Sequence, residues 1–318
     1  MNVIVTGADG FIGRALVARL LSGADRALAG APISRLSLLD RHFTTHASDP
    51  CVRQLPGDFG DQRVLAQALE GGADLVFHLA SIPGGAAARD FELGLRVNLQ
   101  ATIALLEALR HQGRRPTIVF ASSVAVYGVP LPPLIDEDTL PQPSMSYGAH
   151  KLIGEILIRD YSERQFIDGR ALRLPGIVSR PPQPSGLLSQ FLSDLIRELS
   201  AGRDVTCPVS PGGKSWWMSR PCVVDNLLHA AALPAASVAQ RRVWLLPVLH
   251  ASMEEVVAAI ARTRGKEVLQ RVRYTPDPAL EAQFASLPPL HCPKALAAGF
   301  RHDGTLEVLV RRALEECR

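Results

Sequence analysis

Apolar positions along this chain alternate between two spacings. Residues 2–7, NVIVTG, form a β-branched run that ends in glycine, the pattern of a buried strand. Residues 11–23, FIGRALVARLLSG, then set Phe11, Ile12, Leu16, Val17, Leu20 and Leu21 at helical spacing, with Gly23 as the stop. The pairing recurs. RLSLLD (35–40) reads as a second strand, RVLAQALEG (63–71) as a helix and ADLVFHLAS (73–81) as a third strand. FELGLRVNLQATIALLEALRHQG (91–113) predicts one long helix closed by Gly113, and PTIVFASS (116–123) a fourth strand. YGAHKLIGEILIRDYSERQ (147–165) predicts another helix, and GRALRLPGIV (169–178) a fifth strand.

Strands that are apolar throughout and alternate with helices build βαβ units around a parallel sheet covered on both faces. The predicted fold class is therefore α/β, a doubly wound parallel sheet of the Rossmann type over residues 1–175. Pro and Gly cluster at 175–186 and 208–213, where the alternation breaks. Residues 176–318 read mainly as a smaller substrate-binding lobe, with CVVDNLLHAAAL (222–233) and VWLLPVL (243–249) returning to the first sheet. SMEEVVAAIA (252–261) reads as a capped helix, and TLEVLVRRALEE (305–316) as a last one.

Composition narrows the classes of function. The chain has 318 residues, 47% hydrophobic and 20% charged, enough for one large domain or two smaller ones. The net charge of +3 is spread along the chain with no basic run interleaved with aromatics, so no nucleic-acid partner is expected. The basic balance suits a small anionic substrate. Five cysteines without CxxC spacing point to reduced thiols and a cytoplasmic setting. The N-terminus enters a strand at once, and no apolar run nears the ~18–20 residues of a span, so neither a leader nor a membrane is expected. Nine histidines show no HxH or HExxH spacing, and no metal is expected.

Chemistry enters with TGADGFIG, which places Gly7, Gly10 and Gly13 at a strand-to-helix junction. One glycine allows the tight turn, one lets backbone approach a pyrophosphate, and one lets the helix pack on the strand; the free helix N-terminus then faces the anion. Asp40 closes the second strand, where a carboxylate accepts from ribose hydroxyls and repels a 2′-phosphate, favouring NAD over NADP. Tyr147 and Lys151 stand at i and i+4, on one helix face, after a strand that ends in two serines. A phenol with pKa near ~10 becomes a base only if its anion is stabilised, and a neighbouring ammonium does that. Tyr147 is thus the candidate base, Lys151 its tuner, and Ser123 the group that orients the reacting oxygen.

These residues resemble the extended short-chain dehydrogenase/reductase superfamily, with its NAD-dependent epimerases and dehydratases, over nearly the whole chain. The resemblance implies cofactor contacts at Gly7, Gly10, Phe11, Ile12 and Gly13. In GDFGD (57–61) it implies Asp58 and Phe59 beside adenine, and in VFHLAS it implies Leu79, Ala80 and Ser81. It adds Asn98 of NLQAT, Tyr147, Lys151 and Pro175. Nucleotide-sugar members carry an Asn and an Arg where this chain has Gly176 and Met218, so that substrate class is not favoured. LRLPGIVSRPPQPSGLLSQFLSDLIRE and CPVSPGGKSWWMSRPCVVDNLLHA resemble instead the D-erythronate dehydrogenase subgroup. That implies NAD-dependent oxidation of the C2 hydroxyl of a four-carbon sugar acid to a 2-oxo acid. Its substrate contacts are expected at Ser122, Ser123, Tyr147, Arg180, Trp217 and Arg220, an Arg being the natural carboxylate partner. The alternatives are a nucleotide-sugar epimerase or dehydratase on the same fold, or an NAD-sensing protein without turnover. The superfamily also implies a homodimer paired through the helices at 91–113 and 147–165.

Overall fold

The computed structural model describes residues 1–22, 27–28, 30–181 and 188–315; Gly23, the expected helix stop, and Cys317 lie outside the described residues. The chain forms two compact units. One comprises Met1–Val129, Pro141–Arg173 and Val224–Trp244; the other comprises Pro130–Leu140, Leu174–Val223 and Leu245–Arg318. The principal strands are, in chain order, β1 (Asn2–Thr6), β2 (Arg35–Asp40), β3 (Val52–Pro56), β4 (Leu75–His78), β5 (Thr117–Ser123), β6 (Asp168–Leu174), β7 (Ile177–Val178), β8 (Lys214–Ser219), β9 (Val243–Leu245) and β10 (Leu249–Ser252). The principal helices are α1 (Phe11–Leu21), α2 (Gln62–Ala68), α3 (Ala101–Gln112), α4 (Ser146–Glu163), α5 (Gln190–Ser200), α6 (Arg220–Ala232), α7 (Met253–Arg264) and α8 (Leu306–Glu315).

The first unit is built on a seven-stranded sheet in the order β9-β6-β5-β4-β1-β2-β3. The pairings from β5 through β4, β1 and β2 to β3 are all parallel. From β1 the chain steps outward through β2 and β3, then returns to place β4 on the other side of β1. The order reverses at that point, and the carboxyl ends of β1 and β4 flank the crevice where doubly wound sheets take ligands. Ile4, Val76, Leu105, Leu109, Phe120 and Ile158 belong to one buried cluster here, so apolar side chains from sheet and helices share a core.

Several elements depart from the sequence pattern. β3 carries little apolar alternation, as its mostly half-buried residues show, and it forms the edge of the sheet. The run 169–178 divides at Pro175-Gly176: β6 stays in the large sheet and β7 joins another. The helix expected over 91–113 is a short helix, Phe91–Leu95, a π-helical turn, Arg96–Gln100, and then α3, which Gly113 ends in the left-handed region at φ 67°. CVVDNLLHAAAL is not a strand; it lies in α6. Of VWLLPVL, Val243–Leu245 joins the seven-stranded sheet, and the chain from Leu249 pairs elsewhere.

The second unit holds a three-stranded sheet with β8 between parallel β7 and antiparallel β10. Leu195 and Leu199 of α5, Val256 and Ile260 of α7, and Leu309 of α8 bury themselves with Trp217 in its core. Ser252 caps α7 in a capping box: its hydroxyl accepts from Glu255 N at 3.2 Å, and Ser252 N donates to Glu255 Oε2 at 2.7 Å. No helix among the described residues is long and apolar enough to cross a membrane.

Candidate functional site

The glycine turn is shaped by contacts that leave no room for side chains. Gly7 adopts φ +70°, and a Cβ on it would stand 2.8 Å from Ala80 N. A Cβ on Gly13 would stand 2.0 Å from the Gly7 carbonyl oxygen, so the first turn of α1 lies directly on the loop. Gly10 begins the helix with φ −73° and ψ 172°, and no side chain caps it. The start of α1 therefore presents backbone N–H groups to an anion.

Asp40 stands beside this turn because β2 pairs in register with β1, Leu39 opposite Thr6. Its Oδ2 accepts from Asp9 N and its Oδ1 from Arg41 N, both at 2.8 Å. Each carboxylate oxygen has two lone-pair directions, so acceptor capacity remains for ribose hydroxyls. A glycine cradle that any Cβ would fill, an uncapped helix start and an oriented carboxylate together fit the pyrophosphate and adenosine ribose of NAD.

At the end of β4, His78 is buried and connects two layers. Its Nδ1 lies 2.7 Å from Thr6 Oγ1 and its Nε2 3.0 Å from Thr102 Oγ1; Thr6 Oγ1 also accepts from Ala80 N at 3.2 Å. Burial, with the Lys151 charge as a lesser cause, pushes the imidazole down to about 3, so it stays neutral. Asn98, expected among the cofactor contacts, is 3% exposed. Its Oδ1 accepts from Ile82 N at 2.7 Å and from Ser81 Oγ at 3.2 Å, and its Nδ2 donates to Ile82 O at 3.0 Å. It braces the loop that carries Leu79, Ala80 and Ser81. The Phe59 ring lies in the core edge-on to His78, with centroids 5.2 Å apart. Asp58 remains partly exposed, its Oδ1 accepting from Gly60 N at 2.9 Å.

Glycines also set the catalytic corner. A Cβ on Gly148 would stand 2.1 Å from Ala125 O, so α4 begins hard against the turn that follows Ser123. A Cβ on Gly154 would stand 2.6 Å from Phe120 Cζ, so α4 lies flat on β5. Lys151, buried by this packing, donates to Ala121 O at 2.7 Å and sits 4.8 Å from the Phe120 ring centroid and 5.7 Å from that of Tyr147. Burial lowers its ammonium to about 7, against which the Glu155 charge acts. Ser123 Oγ accepts from Ala125 N at 3.1 Å and stays half-buried.

Ser122 is corrected. Alternation along β5 turns it away from the side that Ser123 faces. It is 2% exposed, and its hydroxyl donates to Glu155 Oε1 at 2.5 Å. Sequence reasoning missed Glu155 and its partner Arg173. The available signal was spacing: Tyr147, Lys151 and Glu155 follow one another at intervals of four on one face of α4.

Pro175, Arg180, Trp217 and Arg220 belong to the second unit. Trp217 is corrected: it is fully buried in that unit's core, and its indole N–H donates to Ala251 O at 2.9 Å. Alternation sends Trp216 the other way, to Pro288 O at 2.7 Å, so both indoles serve packing. Met218 is also fully buried, in line with Ile177 across the β7–β8 ladder. Arg180 is half-buried, and its carbonyl accepts from Arg197 Nη1 at 2.7 Å. Arg220 opens α6 and is half-buried. Among the described residues, no cluster of His, Cys, Asp and Glu could hold a metal ion.

Comparison with known proteins adds four findings. Residues 3–218 match the NAD dependent epimerase/dehydratase family. The chain is 40% identical over 319 residues to the D-erythronate dehydrogenase of Cupriavidus necator, covering 99% of this chain and 98% of that one. It is 31% identical to the D-erythronate dehydrogenase of Haemophilus influenzae, covering 99% of each. Among solved structures, a nucleoside-diphosphate-sugar epimerase from Agrobacterium tumefaciens superposes with a TM-score of 0.92 at 32% identity, over 99% of this chain and 94% of that one.

Proposed function

This chain belongs to the NAD dependent epimerase/dehydratase family and is an NAD-dependent dehydrogenase, and from that premise we propose that it oxidises the C2 hydroxyl of D-erythronate to the 2-oxo acid. The observation that carries the mechanism is the buried Lys151 ammonium beside the Tyr147 ring. The cation stabilises the phenolate, and Tyr147 takes the hydroxyl proton. Ser123 holds the oxygen as it becomes a carbonyl. Gly7, Gly10 and Gly13 shape the turn so that backbone N–H groups in the first turn of α1 would hold the pyrophosphate of NAD, and Asp40 would accept from its ribose. NAD, when bound, supplies the acceptor for the hydride that leaves C2. Arg220 and Arg180 are the candidate partners for the substrate carboxylate.

A second reading, a nucleotide-sugar epimerase, is favoured by the description of the Agrobacterium relative. Against it stand the buried Met218 and Gly176, neither of which offers a diphosphate a polar side chain. Steady growth of NADH absorbance at 340 nm with D-erythronate, and none with nucleotide sugars, is the expected result. Isomerised nucleotide sugar without net NADH would reverse the assignment.

Asp40→Ala is expected to narrow the preference for NAD over NADP by about tenfold or more, through loss of an acceptor for the ribose and of a repulsion toward a 2′-phosphate. Unchanged discrimination in kcat/KM would remove Asp40 from that role. We also propose a homodimer through α3 and α4, supported by Ile103, Ile153 and Ile156, which remain 38–48% exposed on those helices. Light scattering is expected to give twice the chain mass, and a monomer across micromolar concentrations would count against it.

A further inference from the structure

Behind the catalytic corner lies a buried ionic cluster that the proposed chemistry does not use. Glu155 and Arg173 meet as a two-pronged pair, Nε to Oε1 at 2.9 Å and Nη2 to Oε2 at 2.7 Å, with side chains 3% and 9% exposed. Ser122 donates to the same Oε1 at 2.5 Å. The third edge of the guanidinium, Nη1, donates to Tyr127 O–H at 2.7 Å, and the Tyr127 ring centroid lies 5.0 Å from the guanidinium carbon. Three secondary elements, α4, β5 and β6, are thereby tied together.

Such a cluster is poor evidence of a stability device. Desolvating two ions costs about as much as their attraction returns, and packed apolar side chains of similar volume often hold a fold as well. What distinguishes this pair is its place. Glu155 follows Lys151 by one helical turn on the same face. We propose that Glu155, clamped by Arg173, is a positioning residue that keeps Lys151 cationic and in place beside Tyr147. The proposal rests on the reading of Tyr147 as the base.

The groups that face Lys151 make the dependence specific. Its own helix contributes Tyr147 and Glu155; β5 contributes the Ala121 carbonyl and the Phe120 ring; β4 contributes His78. β6 contributes Arg173, which stands behind Glu155. His78 is neutral and provides no counter-charge. Burial pulls the Lys151 ammonium down to about 7, and the Glu155 charge is what opposes it. With Glu155 neutral, the lysine loses its proton at lower pH, and the phenol beside it becomes a weaker acid.

The sign of each effect follows. Loss of the anion lowers the Lys151 midpoint. Loss of the lysine cation raises the Tyr147 midpoint, so the rising limb of kcat/KM for oxidation moves to higher pH. The chain has four lysines, at 151, 214, 266 and 294, so lysine carrying carbon-13 at Cε resolves the one that titrates near neutrality. In Glu155→Gln with NAD bound, the Lys151 midpoint is expected to fall by about one pH unit or more, and the limb to rise by about as much. Glu155→Asp, which keeps the charge, is expected to keep both near the parent's values even where its Tm falls. A folded Glu155→Gln protein with an unmoved Lys151 midpoint overturns the proposal, whatever happens to its stability. Should Glu155→Gln not fold, Arg173→Met and Glu155→Gln/Arg173→Met are compared, since they differ only in the Glu155 charge, and an equal Lys151 midpoint in the two overturns it equally. The lysine titration needs no substrate. A parent enzyme that reduces no NAD with any aldonic acid therefore defeats the substrate reading and leaves this measurement decisive.

Discussion

Tyr147→Phe is expected to lower kcat by roughly 10²–10⁴-fold while NAD affinity stays within about twofold of the parent. The substitution removes one oxygen and keeps the ring, which packs where a Cβ on Gly84 would come within 3.6 Å of Tyr147 Cδ1. Folding and the cofactor cradle are then untouched, and only proton removal is lost. NADH production followed at 340 nm across pH 7–9, beside NAD titration by fluorescence, separates the two effects. Full turnover across that range would remove Tyr147 as the base, and a matching collapse in NAD affinity would make it a binding residue.

Gly13→Ala is expected to be among the most damaging single-methyl changes in the first unit. The new Cβ meets the Gly7 carbonyl at 2.0 Å and Ala8 backbone carbons at 2.9 Å, and none of these is a flexible side chain. Either α1 moves off the loop or the loop loses its turn, at a cost of about 1–3 kcal/mol or more. Tm should fall by several degrees, and NAD binding should weaken at least tenfold. Gly10→Ala is the contrast. Its φ is −73°, and its added Cβ meets one backbone atom at 3.1 Å, so folding should survive while the approach of the pyrophosphate suffers. A Gly13→Ala protein with parental Tm and NAD affinity would contradict the packing argument.

How much was legible beforehand depends on whether a feature is local in sequence. The glycine turn was, because a strand, three glycines and a helix follow one another within about a dozen residues. So was the Tyr147–Lys151 pair, because helical spacing alone puts both on one face. Ser122 and Trp217 were misjudged for a shared reason. Each has a neighbour of its own type, Ser123 and Trp216, and composition does not say which of two adjacent strand residues faces a core. Alternation separates them, and only the burial of one face decides which is which. The edge strand β3 escaped because an edge that is covered on one side needs few apolar residues. The π turn at Arg96–Gln100 escaped because one extra residue in a helix leaves almost no trace in periodicity, yet that turn holds Asn98, whose amide braces the loop after β4.

From its sequence alone this protein had a determined architecture of alternating strands and helices, a nucleotide-cradling first turn and a paired phenol and amine. Each depends on spacing along one segment, which the chain carries wherever it goes. Tertiary structure alone decided what surrounds those groups: Gly148 and Gly154 pressing α4 onto β5, the neutral His78 between Thr6 and Thr102, and Arg173 reaching from β6 to Glu155. Charge states in a buried corner follow from which groups meet there once water has left. Residues that are distant in the chain become electrostatic neighbours only when the sheet has ordered its strands.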